Sequence, residues 1–532
     1  MLLPTTQKCV KVAVDAAPAR LGFLTYLQST PPTPVGYAVR VPYGTTTSYG
    51  MVVEEVDYDP VATKAVSESF GLRATPEDIL VAIDMAAEHL CAPLTILKRF
   101  APSNHKGKKP LSFDTTKLHP SRRLRLAGKD SPDKCIVVAP ELSLCETAAQ
   151  RAADITVNCS DQVLVLCPTV QDVEETLSYF EEGAVRLDAK ARSGAWSGFL
   201  AGSVPVGIAT RTGSWYSAAN LATIIVVNPD HPGHVAARLP YLHSRDVALR
   251  RSTAATVHVE TVNISPSAET LAAGKLFTMG QKPQRKFFHH EQNSSITALR
   301  IAMSSAVRAK QKVAVVVPSK QVNYICSSCG HYDRMMKQHC NKCQSVTYPV
   351  GWSSEKIRKE LPSPVTILSK VEVAACKERF DLVVVLDADH IYKTATFSPD
   401  AATWKLVACA HRLSKQPQLY LTVRDPEIPM IKALMAGTTR DAAGIVWDEA
   451  SNLQLPPFGA TANIKIAAPN LPEMQPPMGV HLFGPKSSGK NEWEFLMIAP
   501  PDSYQVARTF LKSLGKKYKK LRLTVSSPPQ NL

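Results

Sequence analysis

The chain has 532 residues, 45% apolar and 20% charged, with 40 Pro and 25 Gly. That length holds several domains of ~100–200 residues, and the balance is that of a globular protein, which excludes a disordered or collagen-like chain. Lys and Arg (61) exceed Asp and Glu (46) by 15, which favours a polyanionic partner over a merely basic enzyme, because each neutralised phosphate releases a condensed counterion.

Residues 1–105 read as a small, mostly β unit. Val35–Val41 and Tyr49–Val56 alternate like paired strands around a turn at Pro42-Tyr43-Gly44-Thr45, and the spacing of Glu77–Phe100 predicts one helix with Pro76 in its first turn. Residues 106–120 form a basic, Pro-bearing linker. Between Lys98 and Lys129 ten Lys/Arg stand against one acid, Asp114.

Residues 121–290 alternate strand and helix: strands at Cys135–Ala139, Gln162–Cys167, Val204–Ala209 and Ala222–Val227, helices at Leu142–Ile155 and Val170–Glu182. This pattern predicts a parallel sheet with helical crossovers. A second such set runs over 291–454. It has a helix from about Ser294, strand Lys312–Val317, helix Glu355–Leu361, and strands Val365–Leu368, Leu382–Leu386 and Gln418–Val423. Residues 455–532 read as a small α+β unit with strands Ile464–Ala468, Trp493–Ala499 and Leu521–Val525 around helix Tyr504–Leu514. Its tail repeats the basic bias in Arg508, Lys512, Lys516, Lys517, Lys519, Lys520 and Arg522. No window reaches the ~18 apolar residues of a membrane span, and no signal peptide is read. The twelve Cys are scattered apart from one tight group, which fits a reducing compartment, so the expected location is cytoplasmic, with no membrane partner.

That tight group is Cys326-Ser-Ser-Cys329 and Cys340-Asn-Lys-Cys343, within a module at 324–346. Two C-x-x-C pairs close a tetrahedral site, so one structural Zn²⁺ with no open position is expected. Gly484-Pro-Lys-Ser-Ser-Gly489-Lys490-Asn491 imitates a phosphate loop. However, Asn491 replaces the magnesium-binding hydroxyl and a strand-like segment follows, so a hairpin is expected. Asp387-Ala-Asp389 reads as a polar strand exit, and His231 as a loop histidine. The remaining cysteines read as core filling.

Several short segments, in order along nearly the whole chain, resemble the replication-restart PriA family (primosomal protein N′). They are Val39-Arg-Val-Pro-Tyr-Gly44, Thr63-Lys64-Ala65-Val66, Cys135-Ile-Val-Val-Ala-Pro-Glu-Leu142, Gly207-Ile-Ala-Thr-Arg211, Tyr241-Leu-His-Ser-Arg-Asp246, Ile264-Ser-Pro-Ser-Ala-Glu-Thr-Leu271, Pro349-Val-Gly-Trp-Ser-Ser-Glu355, Leu455-Pro-Pro-Phe458 and Phe483-Gly-Pro485. The resemblance implies an α/β fold. It would have two degenerate RecA-like helicase lobes, an N-terminal mostly-β DNA-binding domain, an inserted zinc-binding module and a C-terminal α+β domain.

The departures are specific. The family's phosphate loop is reduced to Leu124-Arg-Leu-Ala-Gly-Lys-Asp130, its D-E-x-H box to Asn228-Pro229-Asp230-His231, and its last arginine box to His411-Arg412-Leu413-Ser414-Lys415. The degenerate nucleotide site is thus Gly128, Lys129, Asp230, His231 and Arg412. It puts ATP binding in doubt and leaves no catalytic residue. The pattern resembles the shortened, helicase-deficient members from actinobacteria.

What the resemblance implies is binding of branched or stalled fork DNA and promotion of primosome assembly, without ATP hydrolysis. A helicase loader and a single-strand-binding protein are the implied protein partners. In the family the N-terminal domain cups a 3′ DNA end, and Gly44 and Lys64 match that pocket, whereas Leu24-Thr25 replaces its aromatic–acid pair. With the basic blocks, the expected DNA contacts are Arg40, Tyr43, Gly44, Lys64, Lys106, Lys108, Lys109, Arg122, Arg123, Lys516, Lys517, Lys519 and Lys520. The alternatives are a residual ATP-dependent 3′–5′ DNA helicase and a zinc-dependent protein-interaction scaffold.

Overall fold

A computed structural model describes residues 8–15, 22–89, 91–101, 133–157, 161–188, 191, 194–236, 242–255, 257–289, 293–317, 323–329, 332–333, 338–350, 365–393, 398–415, 418–489, 491–518 and 521–526. The N-terminal strands β1 (Cys9–Val14), β2 (Leu24–Leu27), β3 (Tyr37–Tyr43), β4 (Thr46–Val56) and β5 (Glu68–Leu72) form an antiparallel sheet in the order β2-β1-β4-β3-β5. Gly44 closes the β3–β4 hairpin at φ 59°, and a Cβ there would meet nothing within 4 Å. The backbone conformation, not space, calls for glycine.

The single helix expected over Glu77–Phe100 is two: α1 (Pro76–Glu88), capped by the Thr75 hydroxyl, and α2 (Pro93–Leu97). Pro93 cannot donate to the preceding turn and instead opens a new helix, where its missing N–H costs nothing.

The first α/β unit runs β6 (Lys134–Val138), α3 (Leu144–Thr156), β7 (Gln162–Leu166), α4 (Val170–Ser178), β8 (Ala184–Arg186), α5 (Ala195–Leu200), β9 (Val206–Ala209), β10 (Leu221–Val227), α6 (Ser244–Ala255), β11 (His258–Asn263), α7 (Ala268–Leu271) and β12 (Lys275–Met279). Its seven strands are all parallel, in the order β12-β6-β11-β10-β7-β9-β8. Every residue of β7 and β9 is buried, as a strand covered on both faces requires.

The second unit starts at β13 (Gln284–His289), which pairs in the second sheet and so precedes the boundary expected at 290. It continues with α8 (Asn293–Arg308) and β14 (Val313–Val317). A small antiparallel sheet of β15 (Asn323–Cys326), β16 (Tyr332–Asp333) and β17 (Thr347–Val350) carries the cysteine pairs. Then come β18 (Thr366–Ser369), α9 (Lys370–Ala375), β19 (Leu382–Val385), α10 (Pro399–Arg412), β20 (Gln418–Val423), α11 (Pro429–Ala436) and α12 (Thr439–Asn452). Its main sheet, β13-β20-β19-β14-β18, is parallel throughout. The helix expected at Glu355–Leu361 lies outside the described residues.

The last unit, β21 (Ala460–Ala467), β22 (His481–Gly489), β23 (Glu492–Ala499), α13 (Tyr504–Lys517) and β24 (Leu521–Ser526), is an antiparallel sheet in the order β22-β23-β21-β24 with one helix. The phosphate-loop lookalike supplies most of β22 and the turn into β23: Gly484–Gly489 lies within β22 and Asn491 turns at φ 62°. No helix among the described residues is long and apolar enough to cross a membrane.

A buried ion pair joins the N-terminal unit to the first sheet. Asp78 of α1 accepts Arg251 Nε at 2.9 Å and Nη2 at 3.3 Å, and Ser217 Oγ at 2.6 Å. Arg251 also donates to the Ser214 and Tyr216 carbonyls. Phe100 meets Trp215 edge-on at 5.4 Å beside it. With both partners almost wholly buried, removal of one leaves an uncompensated charge, so Asp78→Ala is expected to cost about 3–5 kcal/mol in denaturant unfolding. A loss under ~1 kcal/mol would mean that the two units are held together elsewhere.

Candidate nucleic-acid and metal sites

In a parallel sheet the strand exits share one edge, and ligands collect where the connections diverge. In the first sheet that place is the exits of β6, β11 and β10. The turn after β10 is sharp because Asn228 adopts φ 48°, which asparagine tolerates. It brings Asp230 back over the exit of β11.

The Asp230 carboxylate there accepts Asn263 Nδ2 (2.7 Å), the Ser267 amide (2.9 Å), Ser267 Oγ (2.6 Å), Thr270 Oγ1 (3.0 Å) and Arg245 Nη1 (3.5 Å). A carboxylate offers about four lone-pair sites, so these donors fill it. Burial works against its charge, but Arg245 and the Ser267 and Thr270 bonds outweigh burial and hold its pKa below the usual range. It has no capacity left for magnesium. His231 is committed too: its Nδ1 accepts the Gly233 amide at 2.9 Å.

The strand–turn–helix at this edge is Ala139–Ser143, between β6 and α3. The resemblance puts the phosphate loop upstream, at Gly128 and Lys129, which lie outside the described residues. The turn that is present has neither glycine nor lysine. Ser143 caps α3 and donates to Glu175 Oε1 at 2.9 Å, and Glu141 accepts the Gln281 amide at 3.1 Å. Glu146 occupies the first turn of the helix. Three carboxylates around a helix N-terminus repel the phosphates that such a terminus otherwise attracts.

From the second unit, Lys405 Nζ donates to the Asp230 carbonyl at 3.1 Å. Arg412 lies near enough to Cys145 to oppose the burial that raises its thiol to about 12. Asp230 and His231 share the turn after β10, Lys405 reaches that turn from the second unit without a sequence signal, and Arg412 lies near Cys145 of α3. At the exit of β19, Arg424 Nη2 binds Asp387 at 2.9 Å, and the amides of Arg424 and Asp425 bind Asp389. This is the polar strand exit expected.

In the N-terminal hairpin, Lys64 Nζ donates to the Gly44 carbonyl at 3.0 Å, so these two residues meet. Arg40 pairs with Glu68 (2.8 Å) and lies over the Phe70 ring. Tyr43 flanks the turn, and its carbonyl accepts Thr46 Oγ1. In the C-terminal unit Lys516 is exposed at the end of α13, while Lys517 donates to the Glu473 carbonyl and lies over Tyr518. Arg508 of the same helix donates to the Ala87 carbonyl of α1. Lys106, Lys108, Lys109, Arg122, Arg123, Lys519 and Lys520 lie outside the described residues.

The four cysteines of the small sheet come together. The Sγ atoms of Cys326–Cys343, Cys329–Cys343 and Cys329–Cys340 are 3.3, 3.4 and 3.6 Å apart. A tetrahedron with ~2.3 Å metal–sulfur bonds sets sulfurs about 3.8 Å apart. Amides of Ser328 and Cys329 point at Cys326 Sγ, and that of Lys342 at Cys340 Sγ. Hydrogen bonds from Ser345, then from the neighbouring thiols, bring Cys343 down to about 6, the thiolate form that a metal needs. The cluster can hold one metal ion.

No known family model matches the chain, and no curated protein does. Solved structures similar to it include the DUF1998 helicase MrfA bound to DNA (10% identity, TM-score 0.31, covering 62% of this chain and 55% of that one). Others are the Mycobacterium smegmatis helicase Lhr bound to ssDNA and AMP-PNP (10%, 0.29, 62% and 48%) and S. cerevisiae Dbp5 bound to RNA and ADP BeF3 (10%, 0.31, 71% and 98%). The chain thus spans about half of the MrfA and Lhr chains.

Burial lowers three histidines around the crevice and α1: His89 and His243 to about 4, His234 to about 3. Their neutral forms contribute stability fully above the unfolded imidazole value of ~6.5. That contribution is lost as the pH falls through about 4. The urea midpoint is therefore expected to drop between pH 7 and pH 5, and an unchanged midpoint would contradict neutral buried imidazoles.

Proposed function

We propose that the chain is a PriA-like protein that binds branched DNA through a helicase-shaped scaffold without hydrolysing ATP, and that promotes replication restart by recruiting a helicase loader and a single-strand-binding protein. The observation that carries the loss of the motor is the saturated Asp230 carboxylate. Phosphoryl transfer depends almost wholly on placed charge, and here the strand-end acid is committed to holding α7 while carboxylates surround the helix N-terminus that would meet the phosphates. The ordered motif segments, the surplus of 15 positive charges and the Lys64–Gly44 contact support the DNA-binding half of the reading.

The four cysteines serve as a structural zinc site. With four thiolates and no open position, the ion would brace the β15–β17 sheet rather than act on substrate. Metal analysis is expected to find about one zinc per chain, with Cys326→Ser or chelation melting this module first. Less than half an equivalent would remove zinc from the account.

Fork-shaped DNA is expected to bind more tightly than linear duplex, with an affinity that falls steeply between 50 and ~200 mM salt. The same preparation is expected to show no DNA-stimulated ATPase. Equal binding of fork and duplex would defeat the fork role. ATP turnover lost on Lys405→Ala or Arg412→Ala would restore the helicase alternative, and absence of any DNA binding would favour the zinc-dependent scaffold.

A further inference from the structure

The first sheet ends in β12 and the second in β13, two edge strands consecutive in the chain and joined by residues 280–283. Natural edges are guarded by charge, because an open row of amides and carbonyls invites another strand. Lysine alone would serve that purpose. On β12, however, Phe277 and Met279 are 38% and 37% exposed, and both project on the face that carries Lys275.

Two ammonium groups flank the ring: Lys275 Nζ is 5.8 Å and Lys134 Nζ 5.9 Å from the Phe277 centroid. Lys134 is also tied to Glu260 at 3.0 Å, but Lys275 makes no ion pair among the described residues. The arrangement recurs on β13, where the exposed Lys286 lies 5.7 Å from the Tyr420 ring and Tyr420 stacks on Phe288 (5.9 Å, 10°). Lys282, exposed, stands between the two strands. The nearby acids are already engaged: Glu260 by Lys134 and Arg151, and Glu141 by the Gln281 amide.

We propose that the β12–β13 edge is a binding track for single-stranded nucleic acid, with Phe277 as a stacking platform and Lys275, Lys282 and Lys286 as phosphate contacts. An exposed aromatic beside lysines, of which Lys275 makes no ion pair among the described residues, matches both parts of a nucleotide, the flat base and the anionic backbone, whereas an edge built only to repel strands would not display Phe277. The inference rests on the proposed nucleic-acid function and adds a strand-specific site to it. That site is separate from the Gly44 hairpin and the C-terminal basic helix.

The test uses the full chain and a fluorescent oligothymidylate, read by anisotropy beside a fork substrate. Phe277→Ala is expected to weaken oligothymidylate binding about tenfold, the worth of one stacked base. Phe277→Leu, which keeps the apolar bulk, is expected to lose as much, and Phe277→Tyr to bind as wild type. Lys275→Ala and Lys286→Ala should each flatten the salt dependence by ~0.7 in the log–log slope. Unchanged melting temperatures separate these effects from misfolding. Phe277→Ala and Phe277→Leu proteins that bind the oligonucleotide like wild type would overturn the track and leave the edge to an extended peptide. Wild-type protein that binds forks but no oligothymidylate would overturn it while the parent function stands. Wild-type protein that binds neither would sink both.

Discussion

The carboxylate of Asp230 is the constraint on which the functional reading depends. It stands at a strand exit of a parallel sheet, where a magnesium-binding acid would be useful, and it accepts donors from Asn263, Ser267, Thr270 and Arg245. Arg245 extends the network to Asp246 at 2.9 Å and Glu269 at 3.2 Å. The crevice is therefore a polar network in which one guanidinium holds three carboxylates. Lys405 closes it from the second unit by donating to the Asp230 carbonyl, and α12 packs against α7 at the same junction. A nucleotide entering there would have to displace bonds that the fold already needs.

The N-terminal unit is held with similar firmness. Asp78 and Arg251 are buried together, and Glu88 of α1 meets Arg250 of α6 at 2.5 Å within reach of Arg508 from the C-terminal helix. Burial raises the Glu88 pKa, and Arg250 and Arg508 pull against that shift. One carboxylate thus faces cations from two other units. The N-terminal hairpin and the basic end of α13 are thereby carried on a common frame.

Much of the fold was legible from pattern alone. The buried runs Gln162–Leu166, Leu221–Val227 and Leu382–Val385 are strands because nothing but two covering helical layers could accept them. Helix ends were less legible. Pro93 splits a stretch whose apolar spacing continues unbroken, so periodicity ran past a boundary that backbone chemistry imposes. The Gly484–Asn491 segment shows the reverse: despite its lookalike spacing it is part of a hairpin, because the following residues alternate like a strand. Lys405 left no local signal, since its role depends on a partner 175 positions away.

By itself the sequence determined the alternation of strands and helices, the surplus of positive charge and the pairing of four cysteines. These follow from side-chain periodicity, composition and ligand spacing, all local or summed quantities. Only the tertiary structure decided that Asp230 is saturated, that Ala139–Ser143 forms a strand–turn–helix at the crevice, and that Phe277 stands exposed between lysines on a sheet edge. Those outcomes depend on which distant donors, strands and charges the chain brings together, and no local pattern encodes that convergence.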